Sequence, residues 1–521
     1  MTGDFPTLEA WLRHYARTTP TKLAVAHGER SLTYAELDRQ VDQCSALQLL
    51  RGVRPGDRVA FCGAPRIAFW TSLLAAARIG AIWLGINPRN QLPEVRHILG
   101  DAGPKLLFVE SDSATLGSPQ LLREALLGSI DVIAVSGRDP AGEPWLEVAL
   151  TQRSSDAIQL AESHVTHRQA AVIVYTSGST GKPKGAVLSH AGLSWGAQLQ
   201  TRRLAVDDPR IVCNLPINHV GCIADVCATT LVKGGFIRFQ DKFEPELWFD
   251  AIERDRLTIW AGVPTMFIQA LALPGLHPTR SASLQLILWG GSAMPRALIP
   301  QLRRYAPHLK TAYGLTETAC HVAFTDDGAS DATLAETVGV PVPEIPIRIA
   351  ADSPNQAGEI QIGGELNLLE YWRNPQATAA AFTADGWLRT GDIGEWTADA
   401  QLRLVGRLHD QFKSGGYNVY PREIEAALET HPAVAQAAVI GVPDAQFQEV
   451  GCGFVQLKPS QTAAAAQLTD YLRTRLANYK IPKQLRFVEQ LPLLPIGKVD
   501  KQQLRALLVS SVTSDEREAS R

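Results

Sequence analysis

The chain has 521 residues, a formal net charge of -3, and 45% apolar and 20% charged residues. This balance is that of an ordinary globular protein, and it gives no overall electrostatic reason to expect nucleic acid or an anionic membrane surface as a partner. The length exceeds what one compact core usually holds, so we expect a large multi-lobed unit and at least one smaller domain.

The amino-terminal residues 1–22 include charged side chains and lack the uninterrupted apolar stretch of a signal peptide. The longest apolar region, residues 70–86, contains Arg78 and is too short and too interrupted to span a bilayer. The seven cysteines show no CxxC pair and no zinc-site spacing. Their odd number and scatter predict free, mostly buried thiols in a reducing cytoplasm.

Short β-branched or aromatic runs alternate with amphipathic stretches through the first four hundred residues. The runs predict buried parallel strands at residues 58–61, 171–175, 211–215, 257–261 and 284–289. The stretches predict helices at residues 33–51, 245–255 and 295–305. This alternation predicts a doubly wound α/β sheet whose ligands bind beyond the carboxyl ends of the strands.

The pattern of segment lengths and turns changes twice in the last third of the chain. Shorter segments with frequent turns after Gly358 predict a small β-rich subdomain. A smaller α+β domain is predicted after residues 406–410, where the segments 423–428, 434–440, 453–457, 468–476 and 484–487 fit a compact unit. We therefore expect an N-terminal domain over residues 1–408, a mobile C-terminal domain over 409–510 and a disordered tail over 511–521.

The most informative segment, residues 175–185, follows an apolar strand and is Tyr-Thr-Ser-Gly-Ser-Thr-Gly-Lys-Pro-Lys-Gly. Its glycines let backbone N–H groups converge on an anion, its hydroxyls add donors, and its lysines add positive charge. It departs from the Walker pattern, because no Gly stands five residues before a Gly-Lys followed by Ser or Thr. The segment predicts a phosphate-binding loop, with a flexible Ser/Gly surface turn as the alternative.

Residues 176–185 and five later segments together resemble the adenylate-forming superfamily of acyl-CoA synthetases, peptide-synthetase adenylation domains and luciferases. The later segments, in the family's order, are Leu-Pro-Ile-Asn-His-Val-Gly at 215–221, Tyr-Gly-Leu-Thr-Glu-Thr at 313–318, Trp-Leu-Arg-Thr-Gly-Asp at 387–392, the run 406–425, and Pro-Ile-Gly-Lys at 495–498. The resemblance implies an acid–CoA ligase that forms an acyl-adenylate from ATP and a fatty or aromatic acid and then a thioester with coenzyme A.

This chemistry joins two anions, a carboxylate and the α-phosphate of ATP, and the carboxylate is already a nucleophile. The enzyme therefore needs charge neutralisation and in-line positioning rather than a Ser-His-Asp relay. In keeping with this, the sequence has no HExxH motif.

The resemblance assigns ATP to residues in several of these segments. The phosphates are expected to bind the loop at Thr176, Ser177, Gly178, Ser179, Thr180, Gly181 and Lys184. The adenine and ribose are expected to bind Gly291, Ser292, Tyr313, Gly314, Thr316, Asp392 and Arg407. Mg²⁺, which prefers oxygen ligands, is expected at Glu317 with the hydroxyl of Thr176.

Lys498, His219 and Glu317 are the predicted catalytic residues. The resemblance implies that Lys498 bridges the carboxylate and the α-phosphate in the transition state, although Leu494 and Ile496 replace threonines that are frequent in the family. It implies a gating and positioning role for His219, for which a core histidine and an acid–base group are the alternatives.

Lys498 would occupy space that the incoming thiol must cross, so related enzymes rotate the C-terminal domain between the two half-reactions. The resemblance places that hinge at Asp410. Rotation would bring Lys413, Ser414, Gly415 and Gly416 to the channel for the pantetheine arm of coenzyme A. A simple Ser-Gly-Gly turn is the alternative for this segment.

The predicted acyl pocket consists of His219, Gly221, Cys222, Asp225, Val263, Trp289 and Gly290. Residues 220–226 are predicted to form a helix that places residues 221, 222 and 225 on one face. Residues 260–264 and Trp289 are expected to form an apolar wall, with His321 beyond the magnesium loop. Because a carboxylate within an apolar stretch needs a partner, Asp225 either pairs structurally or recognises a polar or cationic acyl group.

Several alternatives stay open at this point. The acyl group could pass to a separate carrier protein instead of coenzyme A, and an acyl-AMP ligase, a luciferase-like oxygenase or a non-catalytic binding protein would share motifs. The expected partners are the acid, ATP and coenzyme A, without nucleic acid and without a membrane span. The sequence does not fix the oligomeric state, and a dimer stays open.

Overall fold

A computed structural model describes residues 5–110, 130–135, 155–176, 183–273, 278–351, 353, 356–414, 417–444, 446–494 and 499–508. Within these ranges, no helix is both long enough and apolar enough to cross a membrane.

The largest sheet has nine strands among the described residues, in the order β15-β14-β13-β12-β11-β9-β10-β1-β2. Six neighbours, from β13 to β1, run parallel, and β14, β15 and β2 are antiparallel additions at the two edges. The strands are β1 Leu23–His27, β2 Arg30–Thr33, β9 Arg210–Cys213, β10 Phe236–Phe239, β11 Ile259–Gly262, β12 Leu286–Gly290, β13 His308–Gly314, β14 His321–Phe324 and β15 Val340–Pro341.

A second sheet has seven strands in the described part of the chain, in the order β18-β8-β7-β4-β3-β5-β6. Its strands from β7 to β6 are parallel, and β8 and β18 are antiparallel to their neighbours. The strands are β3 Arg58–Cys62, β4 Ile82–Ile86, β5 Leu106–Val109, β6 Asp131–Ala134, β7 Ala170–Thr176, β8 Lys184–Ser189 and β18 Glu370–Tyr371.

Helices pack against these sheets. Among the described residues before the C-terminal part, the α-helices are Leu8–Thr18, Tyr34–Leu50, Ile67–Arg78, Leu92–Ala102, Ser155–Ser163, His190–Thr201, Thr229–Val232, Pro245–Asp255, Pro264–Leu271, Ile299–Leu302, Asp331–Glu336 and Pro375–Ala381. Local chemistry sets their ends: Tyr34–Leu50 begins at a capping box, in which Thr33 and Glu36 each bond the other's backbone N–H. The segment Gly221–Ala228 is a π-helix.

The small β-rich subdomain is an antiparallel sheet in the order β16-β17-β19-β20. Its strands are β16 Ile347–Ala350, β17 Gly358–Ile362, β19 Leu388–Trp396 and β20 Leu402–Arg407. It starts slightly before the predicted Gly358, and its last strand ends at the Gly-Arg pair that precedes the C-terminal part.

The C-terminal part has its own sheet and its own buried clusters. Its strands are β21 Phe412–Ser414, β22 Tyr417–Val419, β23 Val434–Asp444, β24 Gln448–Leu457 and β25 Gln484–Phe487, and its helices include Pro421–Glu429 and Ala465–Arg473. The predicted α/β architecture with a smaller α+β C-terminal domain is confirmed.

One predicted helix is not continuous in the structure. Residues 295–305 form a short 3-10 turn, Arg296–Leu298, followed by the single-turn helix Ile299–Leu302. Pro300 lies inside the predicted span, and because proline lacks an N–H and its ring crowds the preceding turn, it prevents one continuous helix.

Candidate active site

The glycine-rich segment is flanked by two paired antiparallel strands. Thr176 ends β7 and pairs with Lys184, the first residue of β8, and the Thr176 hydroxyl donates to the Lys184 carbonyl at 3.4 Å. Five predicted phosphate-binding residues lie outside the described residues: Ser177, Gly178, Ser179, Thr180 and Gly181. Thr176 and Lys184, the residues of this pair, lie at the carboxyl end of β7, which runs parallel to β4.

Lys184 and Glu317 contact the same tyrosine. The ammonium nitrogen of Lys184 lies 5.1 Å from the centre of the Tyr371 ring, and the Tyr371 hydroxyl donates to Glu317 Oε1 at 2.7 Å. Burial and the Glu317 charge raise the pKa of Tyr371, so the phenol stays protonated and keeps donating. The predicted phosphate-binding lysine and the predicted magnesium ligand therefore belong to one cluster, although no sequence motif indicated Tyr371.

Glu317 is held by its backbone as well as its side chain. It lies in the 3-10 turn Thr316–Thr318 directly after β13, and its carbonyl accepts from Leu368 N at 2.6 Å. Tyr371 occupies Oε1 of the carboxylate, and carboxylate oxygens are ligands that suit Mg²⁺. Glu317 and the nearby hairpin are thus chemically suited to a magnesium–phosphate group.

Asp392 joins the largest sheet to the subdomain. Its Oδ2 accepts from the Tyr313 hydroxyl at 2.8 Å, and its Oδ1 lies 3.0 Å from Arg407 Nε. Asp392 on β19 also faces Arg407 on β20 in the strand register. The structure thus brings three predicted nucleotide-binding residues together, with Asp392 only 5% exposed.

Two glycines next to this cluster have structural reasons to be glycine. Gly291 has φ 80°, a left-handed conformation that favours glycine, and it lies with Ser292 on the exposed edge after β12. A Cβ at Gly314 would lie 2.4 Å from the Cys320 carbonyl oxygen, so β13 could not approach that turn with any larger residue. Because neither glycine has a side chain, the backbone next to Tyr313 is left uncovered at both positions.

His219 lies between β9 and the π-helix Gly221–Ala228. The Gly221 N–H donates to His219 Nδ1 at 3.1 Å, and a Cβ at Gly221 would also lie 3.1 Å from that nitrogen. The imidazole is half-buried. Gly221 therefore lets the ring fold back over the start of the π-helix.

Asp225 and His321 form a polar group beside Gly290. His321 Nδ1 lies 3.3 Å from Asp225 Oδ1 and 2.9 Å from Gln200 Oε1. Burial raises the pKa of Asp225, whereas the His321 partner acts to lower it. A Cβ on Gly290 would lie 3.2 Å from His321 Nε2. The predicted pocket residues Asp225 and Gly290 therefore share His321 as a neighbour, and sequence reasoning missed Gln200.

Cys222 is buried against another cysteine. Its thiol is fully buried, 3.4 Å from Cys213 Sγ, and Cys227 Sγ lies 3.8 Å from Cys213 Sγ. The prediction that Cys222 lines the acyl pocket is wrong for its side chain, because the π-helix directs that side chain to the other two cysteines. Among the described residues, these three form the one group of three or more His, Cys, Asp or Glu residues whose ligand atoms lie close enough to share a metal ion.

Trp289 is also a core residue. Its indole is 1% exposed and packs in the buried cluster that includes Trp260, whereas its neighbour Leu288 belongs to the main core. Side chains alternate between the faces of a strand, so β12 directs Trp289 to the helices behind the sheet. The expectation that Trp289 joins residues 260–264 in an apolar pocket wall is therefore corrected for Trp289. Val263, which follows β11, is half-buried.

The predicted hinge, Asp410, lies in the turn between β20 and β21. Lys501 Nζ lies 3.3 Å from Asp410 Oδ2 and 2.9 Å from Glu425 Oε1. The Leu408 N–H donates to the Gly391 carbonyl at 2.8 Å. Residue 408 is thus attached to the subdomain. Asp410 is attached to both parts: its N–H donates to the Arg407 carbonyl at 3.1 Å, and its carboxylate contacts Lys501, a residue that no motif indicated.

The remaining predicted residues are described in part. Lys413 is exposed and Ser414 is buried on β21. Gly415, Gly416 and Lys498 lie outside the described residues. Leu493 and Val499 form an isolated antiparallel bridge.

Most of the chain matches two family models. Residues 12–372 match the model described as AMP-binding enzyme, and residues 423–498 match the one described as AMP-binding enzyme C-terminal domain.

Curated relatives align along almost the whole chain. A feruloyl-CoA synthase of an Amycolatopsis species is 35% identical, with 96% of this chain and 98% of that protein covered. An indoleacetate–CoA ligase of Aromatoleum aromaticum is 34% identical over the same shares. A long-chain-fatty-acid–CoA ligase of Mycobacterium tuberculosis is 31% identical, with 91% of this chain and 92% of that protein covered.

Solved structures share the fold. ATP-bound MatB from Rhodopseudomonas palustris has a TM-score of 0.87 at 28% identity, covering 96% of this chain and 98% of that chain. An o-succinylbenzoate CoA synthetase from Bacillus subtilis, in complex with its acyl-adenylate intermediate, has a TM-score of 0.80 at 25% identity, covering 95% and 97%.

Proposed function

The chain belongs to the AMP-binding enzyme family and is an AMP-forming acid–CoA ligase, and from this premise we propose that its acid substrate is aromatic, with a fatty acid as the alternative. The carboxylate attacks the α-phosphate of ATP to give an acyl-adenylate and pyrophosphate. The thiol of coenzyme A then displaces AMP and forms the thioester. Two relatives, 35% and 34% identical, are named for feruloyl and indoleacetate, which supports an aromatic acid. A third, 35% identical, is named for a propanoyl group on a saturated bicyclic ring system.

The phosphates of ATP bind the hairpin loop from Thr176 to Lys184. The observation that carries this proposal is the contact of Lys184 and Glu317 with one tyrosine, Tyr371. It puts a cation for the phosphates and a carboxylate for a metal ion in one cluster beyond the carboxyl end of β7. Ser177, Gly178, Ser179, Thr180 and Gly181 are proposed to donate to the phosphate oxygens.

Mg²⁺ is proposed to bind Glu317, with the Thr176 hydroxyl as a further oxygen ligand. Tyr371 donates to Oε1 alone, so the carboxylate keeps acceptor capacity for a hard cation. When bound, the ion would neutralise phosphate charge. Lys184 and the loop amides orient the same phosphates for in-line attack.

The nucleoside is proposed to bind between the edge after β12 and Asp392. The adenine would lie against Gly291, Ser292 and Tyr313, with Gly314 and Thr316 at the same edge. Asp392 would accept from the ribose hydroxyls, because each of its oxygens has one partner and a free lone pair. Arg407 adds positive charge beside it.

Lys498 is proposed to bridge the carboxylate and the α-phosphate as negative charge develops there. His219, held by Gly221, is proposed to gate the path between the acid and the nucleotide. The acid itself would lie along Gly221, Val263 and Gly290, with Asp225 at the buried side.

The thioester half-reaction is proposed to follow rotation about Asp410, so that residues 1–408 and 409–510 move as two domains. The attachment of Leu408 to Gly391 and of Asp410 to Lys501 supports a hinge between these residues. Rotation would bring Lys413, Ser414, Gly415 and Gly416 to the site as the pantetheine channel. A separate carrier protein as thiol donor is the second candidate for this step.

Pyrophosphate release from ATP over a panel of aromatic and fatty acids, with and without coenzyme A, tests the proposal. We expect release with aromatic acids and acyl-CoA formation when coenzyme A is present. Release that does not depend on any acid would contradict it. An acid that is consumed only when a carrier protein replaces coenzyme A would favour the second candidate.

A further inference from the structure

Three polar side chains meet in an otherwise apolar part of the proposed acid pocket. Asp225 comes from the π-helix Gly221–Ala228, His321 from the start of β14, and Gln200 from the helix His190–Thr201. The side chains of His321 and Asp225 are only 15% and 13% exposed. Burying such groups costs free energy, so packing alone does not explain why they lie beside the proposed pocket.

A chain of hydrogen bonds fixes the proton on His321. The Thr229 hydroxyl donates to the Ala224 carbonyl at 2.9 Å, so its oxygen accepts from Gln200 Nε2 at 3.4 Å. This orients the amide, and Gln200 Oε1, which can only accept, faces His321 Nδ1 at 2.9 Å. Nδ1 therefore carries a hydrogen, and in the neutral imidazole Nε2 is a hydrogen-bond acceptor.

His321 Nε2 is the atom of this group that faces Gly290. A Cβ on Gly290 would lie 3.2 Å from it, and the absence of that carbon leaves the nitrogen uncovered on that side. Among the hydrogen bonds of the described residues, His321 uses Nδ1 and its backbone N–H, and none involves Nε2. The acceptor thus lies beside the open carboxyl end of β12.

Asp225 supports this arrangement through charge. Its Oδ1 lies 3.3 Å from Nδ1, so an ionised Asp225 stabilises positive charge that develops on the imidazole when Nε2 shares a proton. The other titratable group beside it is Cys320, whose pKa is raised by burial and by the Asp225 charge. Asp225 and Gln200 act on His321 and need not touch the ligand.

We propose that His321 Nε2 accepts a hydrogen bond from an O–H or N–H group on the ring of the acid substrate, with Asp225 and Gln200 as positioning residues. This inference rests on the proposed aromatic acid specificity and narrows it to acids that carry a ring hydroxyl or ring N–H. A site built around a buried acceptor disfavours a ligand that lacks the donor, because the acceptor is then desolvated without a partner.

The test compares two acids of similar shape in acid-dependent pyrophosphate release: 4-hydroxycinnamic acid and its 4-methoxy analogue, which lacks the donor. We expect the wild-type protein to prefer the hydroxy acid by about tenfold in kcat/KM. His321→Leu should remove the preference by lowering the rate for the hydroxy acid alone. His321→Gln, which restores an acceptor, should regain part of it. His308→Leu, which alters a histidine outside this group, should keep the wild-type preference.

Gly290→Ala provides a second route that leaves His321 intact. The added carbon would cover Nε2, and we expect the same loss of preference as with His321→Leu. For Asp225→Asn, we expect the KM for the hydroxy acid to rise while the KM for the methoxy acid stays the same, because the charge that supports the imidazole acceptor is lost. A purely structural Asp225 would change the KM for both acids alike.

Equal rates for the two acids in the wild-type protein, or an unchanged preference in both His321→Leu and Gly290→Ala, would overturn this inference and leave the proposed function standing. Absence of pyrophosphate release with every aromatic and fatty acid would overturn the proposed function, and the inference with it.

Discussion

Tyr313 donates a hydrogen bond of 2.8 Å to Asp392, and this bond joins the last parallel strand of the largest sheet to the four-stranded subdomain. Both residues are almost fully buried, and burial together with the Asp392 charge raises the pKa of Tyr313 well above its ordinary value. The phenol therefore remains a donor throughout the working pH range. The proposed nucleotide site is thus held across the junction of two structural units.

Tyr313→Phe is expected to weaken both stability and ATP binding. Removing the donor leaves a buried carboxylate oxygen unpaired, which costs about 1–3 kcal/mol. We predict a lower Tm by thermal unfolding and a higher KM for ATP. Tyr305→Phe, which alters another buried tyrosine outside the proposed site, should leave the KM for ATP unchanged; a shift as large as that of Tyr313→Phe would argue against the nucleotide role.

Tyr371→Phe is expected to raise the magnesium requirement. The phenol holds Glu317 Oε1, and loss of one hydrogen bond of about 1 kcal/mol corresponds to a roughly fivefold weaker site. The measurement is pyrophosphate release as a function of Mg²⁺ concentration at fixed ATP. An unchanged half-saturating Mg²⁺ concentration would show that Tyr371 does not position a metal ligand.

Lys498→Ala is expected to separate the two half-reactions. Loss of a positive charge at the developing transition state should reduce acyl-adenylate formation by about a hundredfold or more. Conversion of supplied acyl-AMP and coenzyme A to the thioester should stay near the wild-type rate, because the lysine has left the site by then. Lys483→Ala, another lysine of the C-terminal part, is the matched control. An equal loss of both steps would contradict rotation about Asp410.

Asp225→Asn is expected to stabilise the protein at neutral pH. Because burial raises the folded-state pKa of Asp225 above its ordinary 3.8, the folded protein binds this proton more tightly than the unfolded chain. Stability contributed by Asp225 is therefore present below pH 3.8 and is lost as pH rises through its folded-state pKa. We predict a higher Tm for Asp225→Asn at pH 7 and a smaller difference below pH 4. A lower Tm at pH 7 would mean that the ion pair with His321 outweighs the cost of burial.

Much of the fold follows from local sequence pattern. The predicted strand 171–175 is observed as Ala170–Thr176, and the helix Pro245–Asp255 has the predicted bounds. Apolar runs and an initial proline are local features, so they identify such elements without knowledge of their neighbours.

The wrong predictions concern residues whose environment depends on which face of a strand or helix packs against the core. Trp289 was expected at the pocket because of its apolar ring, but strand alternation directs it to the opposite face, among the helices. Cys222 was expected to line the pocket as part of an ordinary helix, but the wider turn of the π-helix brings it and Cys227 to Cys213.

Sequence patterns also did not identify hydrogen-bond partners that lie far apart along the chain. Tyr371 contacts Glu317 across 54 positions of the chain, and Gln200 contacts His321 across 121. Neither partner belongs to a recognisable motif, because each is placed by sheet pairing and helix packing. Motifs thus predicted the charged groups of the site, and the fold supplied the residues that orient them.

Transfer of ¹⁸O from a labelled carboxylic acid tests acyl-adenylate formation most directly. The acid, labelled in both carboxyl oxygens, is converted with ATP and coenzyme A, and the products are analysed by mass spectrometry. If the carboxylate attacks the α-phosphate, one ¹⁸O appears in AMP and the other stays in the acyl-CoA carbonyl. Label in inorganic phosphate with ADP as the nucleotide product, or AMP without label, would contradict acyl-adenylate formation by this enzyme.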